Sequence, residues 1–212
     1  VIMCVSIVTM AAVGFAGSVA AEEHPREIKD WSDLHEIRNN PGGDFVLVND
    51  LDKQTPGYND FVDPDGGGFT PIGSTFYGTF DGNGHVIEDL VINTNEFAGL
   101  FSQTGASGPP AEIKDLGLEN VSVSGKGSVG ALVGSHEGTI TNVYVTGEVD
   151  GGDGRLPAAG GLVGTLKTGT INESFSTANV TGVTNVGGLV GKNEATIEKS
   201  YATGEIVTTD NG

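Results

Sequence analysis

Asp81, His85, Asp89 and Asp115 are the residues of this chain best suited by type and spacing to acid–base chemistry. Cleaving a glycosidic bond takes paired carboxyl groups, one giving a proton while the other activates water or attacks. A second set, Asp60, Asp63 and Asp65, lies in the polar stretch of residues 53–68 and offers the clustered oxygens that Ca²⁺ takes, although the spacing matches no EF-hand loop. A third, Tyr144, Phe175 and Tyr201, repeats an aromatic at one structural interval, either as a stack along one face or as a platform for a polysaccharide. Asn120, Asn172 and Asn179 each open an N-x-S/T glycosylation sequon. His24, His35, His85 and His136 follow no zinc-binding spacing, and no G-x-S-x-G elbow or phosphate-cradling loop occurs. With 28 Asp plus Glu in the chain, neighbouring acids arise from composition alone. The expectation is a non-catalytic protein without a resident cofactor, calcium at the acidic loop remaining the alternative.

The net charge of -18, from those 28 acids against 10 Lys plus Arg, repels nucleic-acid phosphates and anionic membranes, so neither is an expected partner. Such a surface fits either plain solubility or adaptation to high salt, where screening removes self-repulsion. Residues 1–21 are uncharged and apolar and end in small residues, as a secretory signal or an N-terminal membrane anchor would. Both readings export the rest of the chain, and a cell-surface or extracellular protein or glycan is then the expected partner. The sole cysteine, Cys4, lies inside that segment, so the remainder forms no disulfide.

These residues must be positioned by elements that the sequence marks out in two parts. Residues 22–68 read as an N-terminal cap. Trp31, Leu34 and Ile37 fall on one face of a short helix with Asp30 as N-cap and Asn39-Asn40-Pro41 as its stop, followed by a strand in "DFVLVNDLD" and the acidic loop. Residues 69–212 read as repeats, expected to continue beyond the C-terminus. Ile87, Ile113, Ile140, Ile171 and Ile197 form one ladder and Leu100, Leu132, Leu162 and Leu189 a second, at intervals of about 30 residues. Each unit holds short runs rich in Val, Ile and Thr with no helical stripe, and one unit cannot enclose its own Leu and Ile. Stacked copies can, with equivalent strands parallel and about 4.8 Å apart. The fold class is therefore all-β, a parallel β-helix with a short N-terminal capping helix. Gly134, Gly164 and Gly191, closing each "LVG", are the expected corners, where a Cβ would clash or φ must be positive.

The "GGLVG" units with continuations such as "GTITNVYVTGEV", preceded by "FYGTFDGNGHVI", resemble GLUG-repeat proteins over roughly residues 28–209. The resemblance implies a right-handed β-helix in secreted or surface proteins, adhesin-like proteins among them, and no enzymatic activity in the repeats. Two alternatives stay open: a carbohydrate-binding accessory module of a larger secreted hydrolase or peptidase, and a polysaccharide-cleaving β-helix enzyme.

Overall fold

In a computed structural model the residues described are 24–62, 67–73, 75–106, 108–154 and 158–209. The expected signal or anchor over residues 1–21 and two of the three calcium candidates, Asp63 and Asp65, lie outside them. Among the described residues no helix is long and apolar enough to cross a membrane.

The chain winds into a parallel β-solenoid of about 4 turns. Fifteen strands form one continuous sheet, led by Arg26–Ile28, Asp44–Leu47 and Thr79–Asp81 and passing through the long bent strands Ala111–Ser124 and Val133–Asp150. A separate three-stranded sheet joins Ser128–Gly130, Ala158–Gly160 and Val186–Gly187. Every ladder between named strands is parallel. Parallel pairing in near-constant register places like over like, so each side chain is buried by its copy one turn away.

One row runs Phe45, Phe80, Ile113, Ile140, Ile171, Ile197. Ile113, Ile140 and Ile171 are fully buried in it. A second carries Leu100, Leu132, Leu162 and Leu189 inside, beside the paired row Phe101, Val133, Val163, Val190. Ile87 corrects the first expected ladder: it lies over Leu51 and under Leu118, and Phe80 takes the rung beneath Ile113. The reason is volume. The early turns are filled by aromatic rings, with Phe76 against Phe101 at 4.8 Å and Phe80 against Phe101 at 5.6 Å, so the rung equivalent to isoleucine is a phenylalanine there.

The first end of the solenoid is covered by α1 (Trp31–Glu36), continued by a 3₁₀ turn over Ile37–Asn39. Asp30 caps it, its carboxylate accepting from the Asp33 N–H at 2.9 Å. Trp31, Leu34 and Ile37 are fully buried, and the Trp31 indole N–H donates to the Asp52 carbonyl at 3.0 Å. A second single-turn helix, α2 (Tyr58–Phe61), packs edge-on against Trp31 through Tyr58, ring centroids 5.5 Å apart.

The corners differ from expectation. Gly134, Gly164 and Gly191 lie within strands and none of them has a positive φ. Their missing Cβ serves close approach: at Gly164 it would sit 2.5 Å from the Val129 N and 2.6 Å from the Gly134 carbonyl oxygen. The bends are made elsewhere. Gly138 (φ 141°) and Gly169 (φ 100°) turn the chain into the isoleucine face. The next corner is a column of single left-handed residues, Asp115, Asn142, Glu173 and Lys199, with φ between 47° and 54°. Asn142 Nδ2 donates to Asp115 Oδ1 at 2.6 Å and Lys199 Nζ to Glu173 Oε1 at 2.8 Å, so each pair locks one corner to the next.

Candidate functional site

The proposed acid–base set is dispersed over separate partners. Asp115 is a corner residue bonded to Asn142, and Asp89 (φ 57°) is another corner, held by Lys53 at 3.2 Å and by the Asn120 amide. Asp81 accepts from the Asn83 N–H at 2.7 Å and faces Lys114 at 3.8 Å. His85 Nδ1 lies 3.0 Å from Asp50. Each carboxylate thus has a local structural task. Asp60 is exposed in the first turn of α2, and among the described residues no three His, Cys, Asp or Glu gather around a point where a metal would sit.

The three aromatics are brought together as one column. Tyr144 and Phe175 stack at 5.3 Å with ring planes 9° apart, and Phe175 and Tyr201 at 5.1 Å and 2°. A pyranose stacks on a ring face, and here those faces are spent on each other. The lower face of Tyr144 covers Gly117, whose Cβ would fall 2.6 Å from the ring. Only the outer face of Tyr201, 55% exposed, is free. The Tyr144 hydroxyl donates to Glu119 Oε1 at 2.6 Å, and that bond holds its pKa up at about 12. Because Phe175 has a neighbour on both faces and Tyr201 on one, Phe175→Ala is expected to cost about twice as much as Tyr201→Ala. A stacked pair is worth about 0.5 to 1.5 kcal/mol beyond its buried area, and denaturant melts of the two variants measure the ratio.

The sequon asparagines all reach the surface of the coils. Asn120 and Asn179 are exposed, Asn179 Nδ2 donating to Glu148 at 3.4 Å while its Oδ1 accepts from the Glu205 N–H at 3.0 Å; Asn172 is half-buried.

His136 went unmarked in the sequence because nothing in its neighbours signals burial. It is fully buried, Nδ1 2.6 Å from the Thr104 hydroxyl and Nε2 without a hydrogen-bond partner among the described residues, and it stands in one row with Thr104 below and Leu166 above. Burial pushes its pKa down to about 4, the Gly138 backbone acting in the opposite sense.

A surface groove of about 470 Å³ was also invisible in the sequence. Its floor comes from three successive turns, through Asp89, Asn120, Ser122 and Glu148, and its wall from Lys53 and Tyr58 of the segment before the repeats. No periodicity joins those two parts.

The GLUG motif matches residues 125–150 and 182–208. The chain carries GLUG repeats. Its structure explains what the repeated glycines do: the first Gly of "GALVG" or "GGLVG" lets the next turn approach, a Cβ at Gly130 falling 2.6 Å from the Gly164 N and one at Gly160 2.5 Å from the Gly191 N, while the last Gly admits the preceding turn, a Cβ at Gly164 falling 2.5 Å from the Val129 N. The unit at residues 158–176, between the two matched stretches, keeps the same register.

The GLUG-bearing chain is 35% identical over 211 residues to halomucin of Haloquadratum walsbyi, an alignment covering 82% of this chain and 2% of that one. It is 34% identical over 141 residues to a Gly-rich membrane protein of Evansella cellulosilytica, covering 62% of this chain and 15% of the other. The chain thus spans only a small part of either relative. Among solved structures it superposes on a Bacteroides ovatus protein described as an immunoglobulin A1 protease, with a TM-score of 0.69, 23% identity, and coverage of 86% of this chain and 58% of that one. At that identity the likeness is one of fold.

Proposed function

We infer that this chain is a rigid, non-catalytic β-solenoid segment of a secreted or cell-surface protein, serving as a stalk or adhesive element. The observation that supports it best is the register. The residues that recur from turn to turn, the Ile and Leu rows, the motif glycines and the aromatic column, are engaged in stacking one turn on the next. Repetition here builds length and stiffness. The chain's likeness to halomucin and to a Gly-rich membrane protein accords with an exposed location, as does the uncharged, apolar run of residues 1–20. Antibody or protease accessibility on intact cells tests it. Labelling without permeabilisation is the expected result, and labelling only after lysis contradicts the reading.

Charge supports a high-salt setting for the same element. Every lysine of the chain lies within 4.0 Å of a carboxylate, so the surplus of acids has no lysine left to offset it. Exposed pairs of this kind contribute little to stability, and the remaining like charges repel across the surface. Raising salt from 0.1 to 1 M shortens the screening length from about 10 Å to about 3 Å. The melting temperature is expected to climb over that range; a flat profile measured by circular dichroism would remove the high-salt reading.

A further inference from the structure

We propose that the groove between the Lys53–Tyr58 wall and the solenoid is a binding site for a neutral oligosaccharide. This goes beyond the role of a rigid surface element and does not depend on it.

Both sides of the groove are fixed. The wall is pinned by the Tyr58 hydroxyl donating to the Asp89 carbonyl at 3.0 Å, by Tyr58 against Trp31, and by Lys53 on the Asp89 carboxylate. The floor is solenoid backbone, with Ser122 paired in register to Val91 on one side and to Glu148 on the other. A site built in this way binds with little ordering cost.

Its polar groups are only partly used within the protein. The Ser122 hydroxyl is exposed and makes no hydrogen bond among the described residues. Among the described residues the Glu148 carboxylate accepts only the long bond from Asn179. Lys53 gives one proton to Asp89 and keeps others. Together they present a hydroxyl, a carboxylate acceptor and ammonium donors, a set that matches the hydroxyls of a sugar, each of which both donates and accepts. Three turns of floor extend about 10 Å along the axis, the length of about two linked sugar rings.

Charge selects the class. Lys53 is neutralised by Asp89, while Glu148 and the net charge of -18 oppose a uronic or sialic acid. A neutral glycan meets no such penalty. A corner at Asn120 (φ 51°) and Gly147 (φ 122°) separates the groove from the aromatic column, whose ring faces are covered except for the outer face of Tyr201.

The test uses the whole chain, ¹⁵N-labelled and titrated with cello-, manno-, xylo- and malto-hexaose, with hexagalacturonate as the acidic counterpart. The expected result is millimolar binding of at least one neutral hexasaccharide, with shifts at Lys53, Asn120, Ser122 and Glu148. The double variant Ser122→Ala, Glu148→Ala changes two exposed side chains, so its melting temperature should match the parent while affinity falls about tenfold or more. No binding by any neutral hexasaccharide, tighter binding of hexagalacturonate, or shifts confined to Tyr144, Phe175 and Tyr201 would each overturn the proposal. Surface labelling of cells is a separate measurement, so failure of one leaves the other readable.

Discussion

Gly164→Val is expected to lower the melting temperature by roughly 6 to 12 °C, from a cost of about 3 kcal/mol or more at about 2 to 4 °C per kcal/mol for a chain of this size. The new Cβ would lie 2.5 Å from the Val129 N, 2.6 Å from the Gly134 carbonyl oxygen and 2.8 Å from the Ser128 carbonyl carbon, all of them backbone atoms. Side chains can rotate away from an intruder; backbone in a ladder moves only by breaking the ladder. Valine is otherwise a good strand residue, so propensity cannot account for a loss. Gly84→Ala separates the two uses of glycine. Gly84 has φ 79° and nothing within 4 Å of its Cβ position, so only conformational strain of about 1 kcal/mol is at stake there. Thermal melts should rank Gly164→Val well below Gly84→Ala. Equal melting temperatures would mean that the motif glycines are not there for close packing.

Acidification is expected to weaken the fold through His136 before the carboxylates contribute. Its folded pKa, about 4, lies below the unfolded value of 6.5 because burial strips solvent from the imidazolium, the Gly138 backbone offsetting only part of that cost. The unfolded chain therefore binds a proton that the folded chain refuses. Stability from this residue is intact above pH 6.5 and falls as pH drops toward 4, by about 3 kcal/mol across the whole interval. The Thr104 hydroxyl bonded to the ring, the Gly138 backbone and Leu166, its register partner one turn on, do not titrate there. Asp52, Glu173 and Glu194 have carboxyl pKa values held below the usual range by hydrogen bonds from Thr55, Lys199 and Lys192, so their contributions are lost at lower pH. His136→Leu, which copies Leu166 of the next rung, should flatten the slope of unfolding free energy between pH 6.5 and 4.5. A variant as acid-sensitive as the parent would place the cause elsewhere.

Legibility in the sequence followed side-chain repetition. Leu132, Leu162 and Leu189 announce their stacking because each rung selects the same shape, and Tyr144, Phe175 and Tyr201 do so for the same reason. Ile87 misled because the rung below Ile113 is Phe80: an apolar site in a wider turn accepts a ring, and the "DGNG" bend after Phe80 replaces the single-residue corner at Asp115. Corners were harder still. A left-handed position favours Asn and Asp, but Glu173 and Lys199 occupy it here, stabilised by their mutual ion pair, and neither residue type is a turn signal. Burial of His136 and the meeting of Lys53 with Asn120 and Ser122 are tertiary facts with no local trace.

The most direct measurement is a set of methyl–methyl Overhauser contacts in protein labelled at Ile, Leu and Val. Stacked parallel turns predict a chain of cross-peaks from Ile113 to Ile140 to Ile171 to Ile197, about 5 Å per step, with Ile87 joined to Leu118 instead. Cross-peaks joining Ile113 directly to Ile171, or Ile140 to residues of an antiparallel hairpin, would contradict the account.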